Sequence, residues 1–294
     1  MAYGLEFENF IKPARLKPAI WRIIVGVIIM AAVYIAVGIA ILFGVSYALD
    51  EADPMWLASK DALSRPMPLL WLLSTFAGMA LAPMVAVWVI HRRRPGTLFG
   101  RTPRVLHDFT KTAAVYLGIG LPLMGIWLLF GDIKPGLPPL VWLAFFPLAF
   151  VAILLQTLAE ELVFRGYFQQ QFAARFRSPI VWLVIPSLMF GALHFDLAAG
   201  LQTAVAVVAV TTLFGLVAGD LTARTGSIGA AWGFHFTNNL MALCILSIDG
   251  SLTNLTLFRT GFSLVEDRLP LTLMASNILM VIIGWTITRR VLGR

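Results

Sequence analysis

The stretch Leu140–Phe168 reads LVWLAFFPLAFVAILLQTLAEELVFRGYF. Its first twenty residues carry no charge, and a run of that length coiled as helix crosses the ~30 Å hydrocarbon core of a bilayer. Then, with the apolar pattern still running, come Glu160, Glu161 and Arg165. Ionisable side chains at such a depth are costly in lipid, so each requires a partner or a task.

Working outward, seven more apolar runs appear, giving eight candidate spans. These are Ile23–Ala48, Pro68–Ile90, Thr112–Phe130, Leu140–Thr157 with its continuation to Phe168, Pro179–Phe195, Leu201–Gly219, Ser227–Ile248 and Pro270–Thr288. They are apolar on all sides, as lipid-embedded helices are. Of the 294 residues, 59% are hydrophobic and 13% charged, and mean hydropathy is +0.86. A soluble domain is about one quarter charged, so a soluble fold is excluded. One cysteine, Cys244, excludes a disulfide scaffold; it reads as packing. The first span lies behind some twenty mixed residues and is too long for a signal peptide. The expected fold is therefore all-α, an eight-transmembrane-helix bundle. Residues 1–22 are expected to form an N-terminal segment and 23–294 an integral membrane domain.

The net charge of +7 is distributed unevenly. One set of alternate loops holds seventeen of the 22 basic residues. They are Lys12, Arg15, Lys17 and Arg22; Arg92, Arg93, Arg94, Arg101, Arg104 and Lys111; Arg165, Arg175 and Arg177; Arg224; and Arg289, Arg290 and Arg294. Lys60, Arg65, Lys134, Arg259 and Arg268 occupy the other set. The asymmetry places both termini in the cytoplasm. The basic loop His91–Lys111 reads as a topogenic loop; the alternative, a surface for anionic lipid headgroups or nucleic acid, has no aromatic-interleaved fold beside the charges. Asn254-Leu255-Thr256 matches a glycosylation sequon in an outward loop and is a weak signal.

Two of the four histidines, His194 and His235, lie inside apolar runs. Helical spacing puts Glu161 and Arg165 on one face, where they can pair. Glu160 is turned about 100° from them. Phe190 shares a face with His194, and His235 with Asn239. If these faces converge, they enclose a polar chamber. A carboxylate beside an imidazole can deprotonate water, and an imidazole with a carboxamide can donate to an oxyanion. The set Glu160, His194 and His235 could instead hold a divalent metal such as zinc. The bland reading is a set of interhelical polar pairs holding the bundle together. At about 1.5 Å per residue, His235 and Glu160 lie about 12–13 Å from the cytoplasmic edge but His194 about 24 Å. Convergence thus requires a fifth span that starts low, tilts, or ends in mid-membrane at an Asp196–Gly200 turn.

The three segments resemble the motifs EExxxR, FxxxH and HxxxN/B of the CPBP family, which joins CAAX prenyl endopeptidases with bacterial Abi-type membrane proteins. The resemblance covers residues of about 140–248, the expected catalytic core. It implies an intramembrane endopeptidase acting on a membrane-associated peptide or protein, in a bacterial cytoplasmic membrane. Residue by residue, it implies Glu160 as water activator with His194 as partner, His235 and Asn239 as oxyanion donors, and Glu161, Arg165 and Phe190 in support. The family is commonly labelled metalloprotease, while a metal-free glutamate mechanism is equally open; HExxH is absent. Two rival classes remain: a proton- or ion-coupled transporter, and a catalytically silent scaffold or immunity protein.

Overall fold

The computed structural model describes residues 3–50, 65–249, 254–263 and 271–293. In chain order the elements are α1 (Leu5–Ile11), α2 (Ile20–Ala48), α3 (Pro66–Val89), α4 (Thr102–Phe130), β1 (Ile133–Pro135) and α5 (Pro139–Arg175). There follow α6 (Ile180–Ala192), α7 (Leu201–Thr225), α8 (Gly229–Leu240), β2 (Leu246–Asp249), β3 (Phe258–Ser263) and α9 (Leu271–Val291). Six of these helices, α2, α3, α4, α5, α7 and α9, are long and apolar enough to cross a membrane. The protein is a helical, multi-pass membrane protein. The outward faces agree: Ile24, Ile28, Ile35, Ile39 and Phe43 of α2 are exposed, an apolar stripe that water would not tolerate.

The other two candidate spans are shorter. α6 covers Ile180–Ala192, about 20 Å of helix. The segment after it, through Leu197, is exposed, and Asp196 caps a 3-10 turn by accepting from the Ala198 amide at 2.9 Å. α8 ends at Leu240 and relaxes into a wider π turn, Met241–Ile245, before strand β2. α4 begins ten residues before the apolar run starts, so half of the basic loop is helix. The remainder of that loop is partly interior, since His91 and Arg93 are buried. Lys60, Arg268 and Arg294 of the charge count lie outside the described residues, as does Pro270.

A small sheet accompanies the helices, in the order β1-β3-β2. β1 pairs antiparallel and β2 parallel with β3. It joins the segment between α4 and α5 to the segment after α8, so these connections lie at one end of the bundle. Hydropathy reading has no access to it, because three to six residues of strand leave no span-length signal.

α8 is the central helix. Ten of its twelve residues, Gly229 to Leu240, are buried, and it packs along α4, α5 and α7. Gly229 and Gly233 make the α4 contact possible. A Cβ at Gly229 would collide with the Val105 carbonyl oxygen, and one at Gly233 with that of Phe109. Small residues one turn apart let two backbones approach closely. α1 packs against α7 and the end of α5 through buried Phe7, Phe10 and Ile11, so residues 3–22 lie on the bundle.

Candidate functional site

The site begins with two helices that match in step. On α5, Gln156 and Glu160 are four residues apart; on antiparallel α8, so are His235 and Asn239. Asn239 Nδ2 donates to Gln156 Oε1 at 3.0 Å, and Gln156 Nε2 donates to Glu160 Oε1 at 2.7 Å. One turn further along α5, the His235 ring lies between the two carboxylates. Its Nδ1 is 2.8 Å from Glu161 Oε1, and its Nε2 is 3.4 Å from Glu160 Oε2. Asn238 extends the chain at the other end, donating to Asn239 Oδ1 at 3.2 Å.

Glu161 also accepts from Arg165 Nη1 at 2.8 Å. Arg165 in turn donates to the Gly215 carbonyl on α7 at 3.2 Å and lies 5.0 Å over the Phe190 ring. Arg165 sits in a π-helical stretch, Leu162–Gln169. Such stretches are frequent at functional sites. The whole relay is interior: Glu161 is 0% exposed, Arg165 2%, His235 3% and Glu160 9%. Buried charge is tolerated when paired and hydrogen-bonded.

The hydrogen-bond chemistry orients that imidazole. A carboxylate only accepts, so Nδ1 carries a hydrogen and donates to Glu161. Nε2 therefore faces Glu160 Oε2 at 3.4 Å. Glu160 Oε2 makes no hydrogen bond within the protein. Phe190, Phe214 and Phe234 enclose the ring: Phe190 meets it edge-on at 5.6 Å and Phe214 at 5.1 Å, while Phe214 stacks on Phe234 at 4.0 Å.

His194 is placed differently. Its Nδ1 donates to the Phe190 carbonyl at 2.9 Å and its ring packs 4.9 Å from that of Phe190. It is exposed, just past the end of α6. Phe190 thus packs against both imidazoles. Among the described residues no hydrogen bond or ion pair joins His194 to Glu160; the imidazole beside Glu160 is that of His235. Because the Phe190 carbonyl accepts from Nδ1, the Nε2 of neutral His194 presents a lone pair outward.

Sequence reasoning did not single out Gln156, which lies in an apolar run and reads as an ordinary helix residue. Its position four residues before Glu160 was the available signal. A metal would require three convergent donors. Among the described residues no three His, Cys, Asp or Glu side chains are grouped to hold an ion: His235 Nδ1 is taken by Glu161 and His194 Nδ1 by a carbonyl. The residues present do not form a metal site.

Residues 142–241 match the family described as Rce1-like, type II CAAX prenyl endopeptidase. The match covers about a third of the chain and supports the resemblance to the CAAX proteases that the three motifs carry. The polar and aromatic site residues, from Gln156 to Asn239, fall inside the matched segment. The chain is also 27% identical over 248 residues to the uncharacterized protein YyaK of Bacillus subtilis (strain 168), an alignment covering 81% of each chain. No solved structure matches.

Proposed function

We propose that this protein is an intramembrane endopeptidase that hydrolyses a peptide bond of a membrane-associated substrate with a water activated by Glu160. The observation that carries the reading is the relay Glu160–His235–Glu161–Arg165, assembled from separate helices inside a segment of a peptidase family. Glu160 Oε2 accepts a proton as the water oxygen attacks the carbonyl carbon. His235, held in one tautomer by Glu161, shares that proton through Nε2, and the proton passes to the leaving nitrogen as the C–N bond breaks. Asn239 has one Nδ2 hydrogen engaged by Gln156 and a second to offer the oxyanion. His194, at the exposed end of α6, acts at the mouth of the chamber, where its Nε2 meets water or substrate.

The same reading takes α6 and α8 as the short fifth and seventh members of an eight-helix bundle with both termini cytoplasmic. It sets residues 1–22 as a cytoplasmic segment and 23–294 as the membrane domain, with the catalytic core at about 140–248. A bacterial cytoplasmic membrane is consistent with the Bacillus relative.

The test compares new peptide termini in membranes containing the wild-type protein or Glu160→Gln. Wild-type cleavage products that vanish in a Glu160→Gln protein of unchanged melting support the reading. Products that persist in that variant overturn it.

A further inference from the structure

A cavity of about 760 Å³ lies where α1 and the end of α5 meet the start of α6, lined by Tyr3, Phe7, Arg15, Arg175, Arg177 and Trp182 among others. Arg175 is the last residue of one apolar helix, and Ile180 opens the next. The cavity therefore sits at the level where helix gives way to headgroups, whichever way the chain is oriented. It stands apart from the Glu160 relay and does not depend on its proposed chemistry.

Its wall is apolar. The Trp182 ring meets Tyr3 edge-on at 5.2 Å and Phe7 at 4.6 Å. The polar tips of two of these rings are already engaged: Tyr3 Oη donates to Asp220 at 2.9 Å, and Trp182 Nε1 to the Arg177 carbonyl at 3.4 Å. What remains facing the cavity is aromatic carbon. Its charge is positive. Arg15 is paired with Glu8 at 2.6 Å. Arg175 and Arg177 are exposed and have no carboxylate partner among the described residues; Arg175 lies 5.7 Å over the Phe176 ring. Two uncompensated guanidinium groups beside an aromatic wall at the helix ends match a ligand that carries both a phosphate and hydrocarbon. Guanidinium binds phosphate through paired N–H donors, and basic pockets at this level recognise acidic headgroups.

We propose that this cavity binds the headgroup of one acidic phospholipid, with its phosphate at Arg175 and Arg177 and its glycerol and upper chains along Trp182 and Phe7. Because α1 supplies one wall, the bound lipid also fastens α1 to the bundle.

The test is native mass spectrometry of the full-length protein released from bilayers of phosphatidylglycerol and phosphatidylcholine. The wild type is expected to retain one phosphatidylglycerol. Arg175→Gln with Arg177→Gln should weaken that retention at least tenfold. Arg101→Gln with Lys111→Gln, which removes the same charge elsewhere, should leave it unchanged. Glu8→Gln, which frees Arg15, should strengthen it. Equal retention in both double variants, or equal retention of phosphatidylcholine, would overturn the proposal. So would inorganic phosphate raising the melting temperature in detergent as much as phosphatidylglycerol, since the ligand would then be a soluble anion.

Discussion

Glu161 Oε1 lies 2.8 Å from His235 Nδ1, and the same oxygen accepts from Arg165 at 2.8 Å. Of the two adjacent glutamates, Glu161 is thus the one embedded in a structural ion pair, while the hydrogen bond that Glu160 accepts comes from the neutral Gln156 amide. Their substitutions should separate. Glu160→Gln is expected to lower turnover by about 10²- to 10⁴-fold with little change in melting. Glu161→Ala leaves Arg165 buried without its countercharge, a loss of about 3–5 kcal/mol. It should lower both turnover and melting temperature. Melting in detergent alongside peptide cleavage checks both, and equal melting losses would refute the division of roles.

Gln156 connects the oxyanion side of the site to its base. Gln156→Leu keeps the shape but removes the hydrogen bonds to Glu160 and Asn239. Misplacing reacting groups by about 1 Å costs about 10²-fold in rate, so kcat should fall by ten- to a hundredfold while KM holds. A change confined to KM would assign Gln156 to substrate binding instead.

The donor geometry bears on metal dependence. With His235 Nδ1 taken by Glu161 and no three donors grouped among the described residues, cleavage is expected to withstand a strong chelator. Loss of activity that Zn²⁺ alone restores would show that Glu160, His194 and His235 converge in the working protein.

His91 sets a pH dependence outside the spans. Burial, and then the neighbouring Arg93, push its pKa down from 6.5 to about 4, with Arg22 and Lys17 adding repulsion. Its Nδ1 lies 3.4 Å from the Lys17 carbonyl and its Nε2 3.1 Å from Tyr167 Oη, an arrangement for a neutral ring. The unfolded chain takes up the proton first as pH falls. The contribution is therefore fully present above about pH 6.5 and declines as pH falls toward about 4. Melting temperature measured from pH 7 to pH 4 should fall more steeply in the wild type than in His91→Phe. Parallel slopes would assign the effect to other groups.

Gly233 lies two residues before His235, against the Phe109 carbonyl. Gly233→Val should push α8 off α4, destabilising by about 1–3 kcal/mol and displacing His235, so melting and cleavage fall together. Gly118→Ala, on α4 with nothing within 4 Å of the added carbon, should leave both intact.

The amino-acid sequence by itself determined the solvent this chain folds in. It also located the long helices and the few ionisable residues left inside them. Each of these follows from local composition and helical period. The Glu161–Arg165 pair was legible for the same reason: four residues along one helix fix a separation without help from the rest of the chain. What only the tertiary structure decided is which groups meet across helices. Spacing within α8 put His235 and Asn239 on one face, but the glycine-mediated approach of α8 to α4 and its antiparallel register with α5 set that face against Gln156, Glu160 and Glu161. The early end of α6 set His194 at an exposed edge, beyond Phe190. The small sheet, the buried His91 and Arg93, and the docking of α1 were hidden for one physical reason. Each rests on contacts between residues far apart in the chain, and no local pattern records those contacts.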